Sequence, residues 1–170
     1  MKKIILPIFI AISSISFGQK IAADLNFGAH AGSGVTIGTA ASVGVSYKFT
    51  PLLSARLDVG SDKFGNNMMT RISGNAVFDL SQMLKITDSK YSFSVYAGAG
   101  VTNRVNNELF KDDYRVAGDG MINTVFGVMP KYKINDKFSL QLNTSYYYLF
   151  ASNTSMKNYV NTTIGFSYTY

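Results

Sequence analysis

The stretch Y-S-F-S-V-Y-A-G-A-G-V-T-N, residues 91–103, has a period of two. Tyr91, Phe93, Val95, Ala97, Ala99 and Val101 alternate with Ser92, Ser94, Tyr96, Gly98, Gly100 and Thr102. Successive side chains of a strand point to opposite faces, so this spacing predicts a strand with one apolar face and one small or polar face. The pattern recurs along the chain. It predicts strands over 23–33, 41–49, 53–60, 70–80, 91–103, 120–133, 137–150 and 158–170, separated by turn or loop signals. The last of them closes on N-T-T-I-G-F-S-Y-T-Y, with Ile164, Phe166, Tyr168 and Tyr170 on one face and Gly165, Ser167 and Thr169 on the other.

The connections alternate too. Those around Pro51, over 81–90 and around Asn135 are short or compact. Those at 34–40, 61–69, 104–119 and 151–157 read as polar, Gly/Asn-rich loops. An even number of strands, with short turns at one end and longer loops at the other, describes an outer-membrane barrel whose termini face the periplasm.

Composition points the same way. Charged residues make up 15% of the 170 residues, against roughly 25% in a typical soluble domain. There are 11 Tyr and 12 Phe but no Trp, and no Cys, which excludes disulfides and thiol chemistry. Lys2 and Lys3 precede an apolar stretch over 4–15, and Ser16-Phe17-Gly18 supplies small residues at −3 and −1 of a cleavage site. We therefore expect a signal peptide over 1–18, cleavage between Gly18 and Gln19, and a single barrel domain over 19–170. The apolar run is too short to span a bilayer of roughly 30 Å as a helix. The mature chain keeps 14 basic and 10 acidic residues once Lys2 and Lys3 are removed. Its Lys and Arg are scattered, so nucleic acid is not expected as a partner.

A soluble barrel alternates as well, but points its polar face at water. Here the polar face is mostly Ser, Thr, Gly and Asn, with isolated charges at Lys48, Arg56, Asp58, Arg71, Asp79 and Lys131, and the chain holds a single Glu, Glu108. Such a face suits a narrow lumen in which charges must pair. The apolar face carries aromatics at segment ends, among them Tyr47, Phe49, Tyr91, Tyr132, Phe138, Tyr148, Phe150, Tyr168 and Tyr170, the distribution of two interfacial girdles. With no water in the hydrocarbon core the sheet must close, joining the eighth strand to the first. The fold class expected is all-β: an eight-stranded antiparallel up-and-down transmembrane β-barrel.

The pieces S-F-G-Q (16–19), F-S-V-Y-A-G-A-G-V (93–101), G-V-M-P-K-Y-K-I-N-D-K-F-S-L (127–140) and G-F-S-Y-T-Y (165–170) resemble the small OmpA/OmpX-type outer-membrane barrels, and particularly the β-barrel domain proteins of Bacteroidota. The resemblance implies residence in the outer membrane, contact with its lipid and lipopolysaccharide, and insertion by the barrel-assembly machinery. In that family a terminal aromatic is read during insertion, which would assign Phe166, Tyr168 and Tyr170 as the assembly signal. OmpA-type proteins often add a C-terminal peptidoglycan-binding domain; none is read after the eighth segment, so cell-wall tethering is not expected.

Some barrels of this kind modify lipid A. Acyl chemistry would need a His base, a Ser nucleophile and an orienting carboxylate within reach. The single histidine, His30, lies three residues from Ser33, and an odd offset on a strand puts the two on opposite faces. The deacylase pattern of His and Ser two apart on a late strand is absent. His30 therefore reads as a lumen or rim residue, and no catalytic residue, cofactor site or metal site is assigned. The lumen charges Arg56, Asp58, Arg71 and Asp79 are expected to face one another on adjacent strands. They would act either as a gate in a narrow porin or as a plug, in a barrel just wide enough for side chains to fill. The reading carried forward is a structural and surface-interacting barrel. Its loop over 104–119, with Arg104, Glu108, Lys111, Asp112, Asp113, Arg115 and Asp119, suits an extracellular protein partner or lipopolysaccharide-bound ions. A narrow porin is the second reading and a lipid A enzyme the third.

Overall fold

Each polar-face residue of the predicted strands turns inward, and each apolar-face residue turns out, in a computed structural model that describes residues 21–32, 35–64, 67–104, 120–150 and 157–170. Eight antiparallel strands form one closed sheet: β1 (Ile21–Gly32), β2 (Val35–Lys48), β3 (Leu53–Phe64), β4 (Asn67–Asp79), β5 (Tyr91–Arg104), β6 (Met121–Lys133), β7 (Phe138–Phe150) and β8 (Asn158–Thr169). Each strand pairs with its sequence neighbours. β1 also pairs with β8, with Asp24 opposite Ser167, Leu25 opposite Phe166 and Phe27 opposite Ile164. Beyond the strand ends, the Tyr170 N–H donates to the Ile21 carbonyl at 2.9 Å. Closure leaves no strand edge to present unpaired amides. The signal-peptide segment 1–18, with Gly18 and Gln19, lies outside the described residues, as do 105–119 and 151–156.

The period of two sets which side is wet and which is dry, and the result is the reverse of a soluble protein. Phe27, Ile72, Ile122 and Phe166 are each more than half exposed, at 55–62%, whereas Asn26, Asp62, Thr102 and Asn123 are at 0%. Among the described strand residues, the only charged side chain on the outward face is Lys63, near the far end of β3. A continuous apolar exterior of this size is a surface made for another apolar medium. Aromatic pairs mark its rim at the end that carries Ile21 and Tyr170, here called the terminal end: Tyr47 with Phe49, Tyr91 with Tyr132, Phe138 with Tyr168, and Tyr168 with Tyr170, at centroid distances of 4.8–5.2 Å.

Three tight connections close the terminal end. The N–H groups of Phe49 and Thr50 both donate to the Leu53 carbonyl, and Thr50 Oγ1 accepts from the Leu53 N–H at 3.0 Å. The Asn135 side chain accepts from the N–H groups of Lys137 and Phe138, both at 2.9 Å. Between β4 and β5 a turn over 80–90 is held by Leu84 N–H donating to Leu80 and Ile86 N–H to Ser81. It has Lys85 in the left-handed region at φ 54°.

Two of the loops expected at the opposite end are corrected. The 34–40 segment is largely strand, because β2 starts at Val35 and pairs Gly38 with His30 and Thr39 with Ala29. The 61–69 segment is also largely strand: β3 runs to Phe64 and β4 starts at Asn67, pairing Asp62 with Met69. Gly34 and Gly38 in the first, and Asp62, Lys63, Gly65, Asn66 and Asn67 in the second, read as loop signals. Inside a barrel, however, an inward Asp can find a partner and an inward Gly can make room, so a polar residue does not end the strand.

At the seam, a side chain on Gly28 would overlap the backbone of Thr162 and Thr163 on β8, while outward Gly74 has open space beside it. We expect Gly28→Ala to lower the stability of the refolded protein in urea titrations by about 1–3 kcal/mol, the usual penalty of overpacking. Gly74→Ala should leave the midpoint unchanged or raise it slightly. Equal effects at the two positions would contradict the closeness of the seam.

Candidate functional site: the charged lumen

The lumen is built from the inward positions of all eight strands, and Arg56 and Arg71 each anchor a cluster of charges within it. The first lies towards the terminal end. Register puts Asp24, Gly44 and Asp58 side by side on β1, β2 and β3. Because Gly44 has no side chain, the Arg56 guanidinium can lie across β2 between the two carboxylates, where a Cβ would overlap both it and Asp24. Arg56 Nη1 and Nη2 donate to Asp24 Oδ1 and Oδ2, both at 2.6 Å. Its Nε and Nη2 donate to Asp58 Oδ2 and Oδ1 at 2.5 and 2.7 Å. This is the two-pronged fork that matches guanidinium to carboxylate, made twice. Side-chain amides take the remaining acceptor sites. Asn26 donates to Asp24 at 2.9 Å, Gln141 to Asp24 at 3.1 Å and to Asn26 at 2.6 Å, and Asn75 to Asp58 at 3.1 Å.

The second cluster lies towards the other end, around Asp62. Arg71 forms an ion pair with Asp62, and Gly60 opposite Arg71 leaves space for the guanidinium. Tyr159 Oη and Asn161 Nδ2 each donate to Asp62 at 3.0 Å, and Arg71 Nε donates to Tyr147 Oη at 3.0 Å. The Tyr147 and Tyr159 rings stack at 4.8 Å. His30 lies on the Phe64 ring at 3.7 Å, and its Nδ1 is 3.7 Å from Asp62, an ion-pair distance too long for a hydrogen bond. Neither ring nitrogen has a hydrogen-bond partner among the described residues.

Apolar side chains fill the space around the clusters. Val77, Val125, Met129 and Leu149 are buried inside the barrel, and Tyr96 Oη reaches Asn143 at 2.5 Å and Ser145 at 2.6 Å. The interior is therefore packed. Among the described residues no group of three or more His, Cys, Asp or Glu could hold a metal ion.

Arg56 and Asp58 stand together as the spacing suggested. The expectation that they face Arg71 and Asp79 is corrected. Asn75 stands opposite Arg56 and Ser73 opposite Asp58, while Arg71 belongs to the Asp62 cluster. Asp79 pairs in register with Ser94 near the terminal end and accepts the Ser81 N–H at 2.9 Å. Lys48 and Lys131 line the same mouth. The six charges are thus not one network. Two of the acids that matter most were not singled out in sequence. Asp24 has no sequence signal beyond its place on the polar face of 23–33, and Asp62 lies in the segment 61–69, whose composition reads as a loop. Tyr147 could have been found by its position, since it is the residue of the run Tyr146–Tyr148 that falls on the inward register of β7.

Removing one partner of a buried ion pair leaves an uncompensated charge, at a cost of about 3–5 kcal/mol. We therefore expect Arg56→Met to lower unfolding stability in detergent by that amount. Adding Asp24→Asn and Asp58→Asn should restore most of the loss. If the single variant unfolds at the wild-type urea concentration, Arg56 does not hold the lumen together.

No protein-family model and no curated protein matches the chain. Solved structures do match. Neisserial surface protein A aligns over 89% of this chain and 96% of its own, with TM-score 0.64 and 16% identity. The N-terminal β-barrel domain of Pseudomonas aeruginosa OprF aligns over 89% and 97%, with TM-score 0.63 and 12% identity. The outer membrane enzyme PagL aligns over 88% and 98%, with TM-score 0.53 and 11% identity. At such identities the likeness speaks to architecture alone. The chain has the fold of the small eight-stranded outer-membrane β-barrels.

Proposed function

We propose that the protein is an integral outer-membrane barrel with a plugged lumen, non-enzymatic, serving a structural and surface-interacting role through the end opposite its termini. The observation that carries this reading is the pairing of an apolar exterior with an interior in which Arg56 and Arg71 are already paired. Arg56 spends four hydrogen bonds on Asp24 and Asp58, and Arg71 is engaged by Asp62 and Tyr147. The tight connections 49–52 and 134–137 and the compact turn over 80–90 share the terminal end, which supports a periplasmic location for the termini. Phe166, Tyr168 and Tyr170 face outward at the closing strand, where the barrel-assembly machinery would meet them, and lipid and lipopolysaccharide would contact the apolar belt. Of the loop over 104–119, offered to an extracellular protein partner, residues 105–119 lie outside the described residues.

A narrow porin is the second reading. It requires a path past both clusters and past Tyr96, Val125 and Met129, all of which are buried. A lipid A enzyme is the third, and PagL is an enzyme with this fold. Against it, His30 is 2% exposed, packs on Phe64 and has no hydrogen-bonded partner among the described residues, so it is not set up as a general base.

Refolded protein is expected to show a heat-dependent gel mobility shift and no discrete conductance steps in planar bilayers. Reproducible steps would favour the porin. For the membrane reading, Ile164→Lys places a charge on the outward face of β8, 54% exposed. It should lower stability in lipid vesicles by about 2–4 kcal/mol, as lysine does at a bilayer midplane. A neutral effect would place that face in water.

A further inference from the structure

We propose that the mouth of the lumen at the terminal end is a binding site for a small oxyanion, a carboxylate or phosphate group, held chiefly by Lys131 and Lys48. The mouth encloses a cavity of about 300 Å³. Lys48 from β2, Lys131 and Lys133 from β6, and Lys90 from the turn before β5 bring four ammonium groups to it. Only two acids share the lining, Asp79 and Asp136, and both are engaged. Asp79 accepts the Ser81 N–H, and Asp136 holds Lys133 at 2.8 Å with its own side chain 96% exposed.

Lys131 is the decisive residue. It follows Met129 on the inward register of β6 and is half-buried. The charged groups nearest it in effect are Asp24, Arg56, Asp79 and Lys48. Asp24 gives both its oxygens to the Arg56 fork, and no acid among the described residues comes within ion-pair distance of the Lys131 ammonium. A half-buried cation without a direct partner attracts an anion more strongly than a surface lysine, because less water screens it. The hydroxyls of Ser46, Ser94 and Ser139 line the same cavity and can donate to an oxyanion, while Val77 and Met129 give it an apolar floor. Cation, neutral donors and a dry floor together suit a small organic acid or phosphoester better than bare solvent. Neither Arg56 nor Arg71 lines this cavity, so occupancy needs no opening of the arginine clusters.

The test uses the full refolded chain in neutral detergent micelles, at constant ionic strength so that screening does not change. Backbone amide shifts are followed by NMR during titration with inorganic phosphate, with acetate, and with acetamide as the uncharged control. Phosphate or acetate should give saturable shifts at residues 92–94 and 131–133, and acetamide none. Phosphate alone would indicate a phosphorylated ligand, and acetate a carboxylic acid. Lys131→Met should weaken binding about tenfold, the worth of one charge-assisted hydrogen bond. Lys63→Met, outside and at the opposite end, should leave it unchanged. The gel mobility shift reports whether each variant folds, and Lys48→Met gives a second, independent loss of affinity if Lys131→Met does not. Linear, unsaturable shifts, or an affinity indifferent to both lysine variants, would overturn the proposal and leave Lys131 as a distant counter-ion to Asp24.

Discussion

Everything in this molecule depends on the pairing of β1 with β8. Each antiparallel neighbour pair is local in sequence and would form in any meander. The seam is not local: it joins Ala22 to Thr169 and Gly32 to Tyr159 across nearly the whole chain. Without it two rows of amides and carbonyls would be left open, which an apolar medium cannot tolerate. With it, the inside and outside become separate environments, and every other feature follows from which side a residue faces.

Closure makes the outside simple and the inside demanding. Outward positions need only be apolar, with aromatics near the rim, and they are. Inward positions must pack a narrow space and pair the charges buried deep within it. The chain solves this with glycine as much as with charge. Gly44 clears the path for the Arg56 fork and Gly60 clears one for Arg71. A charge placed in a packed interior is stabilising only with such room and full hydrogen bonding, since desolvation otherwise outweighs attraction. The two arginines therefore do for this barrel what a hydrophobic core does for a soluble domain: they tie strands that are distant in sequence to one another across the lumen.

The same logic explains what could be read early and what could not. The face assignments of strands such as 91–103 and 158–170 were legible because period two is a local property, and each side chain declares its face by its character. Loop bounds were less legible. Asp62 and Gly38 look like loop residues in isolation, and only their partners, Asp62 with Arg71 and Tyr159, Gly38 with His30, make them strand residues. The pairing of charges was less legible still. Arg56 with Asp58 is an i, i+2 pair on one strand and could be seen. Arg56 with Asp24 crosses β2, and Arg71 with Asp62 depends on β3 and β4 pairing further than the composition suggested.

The sequence by itself determined the strand number, the inward and outward sets, the tight turns at one end and the scarcity of charge on the outward face. It did so because alternation and turn chemistry act over a few residues. Only the tertiary structure decided which acid holds which arginine, that the lumen is packed, and that Lys131 stands at the mouth with no acid at ion-pair distance among the described residues. Those outcomes depend on register and strand tilt, which bring together residues tens of positions apart and have no signature in the local order of the chain.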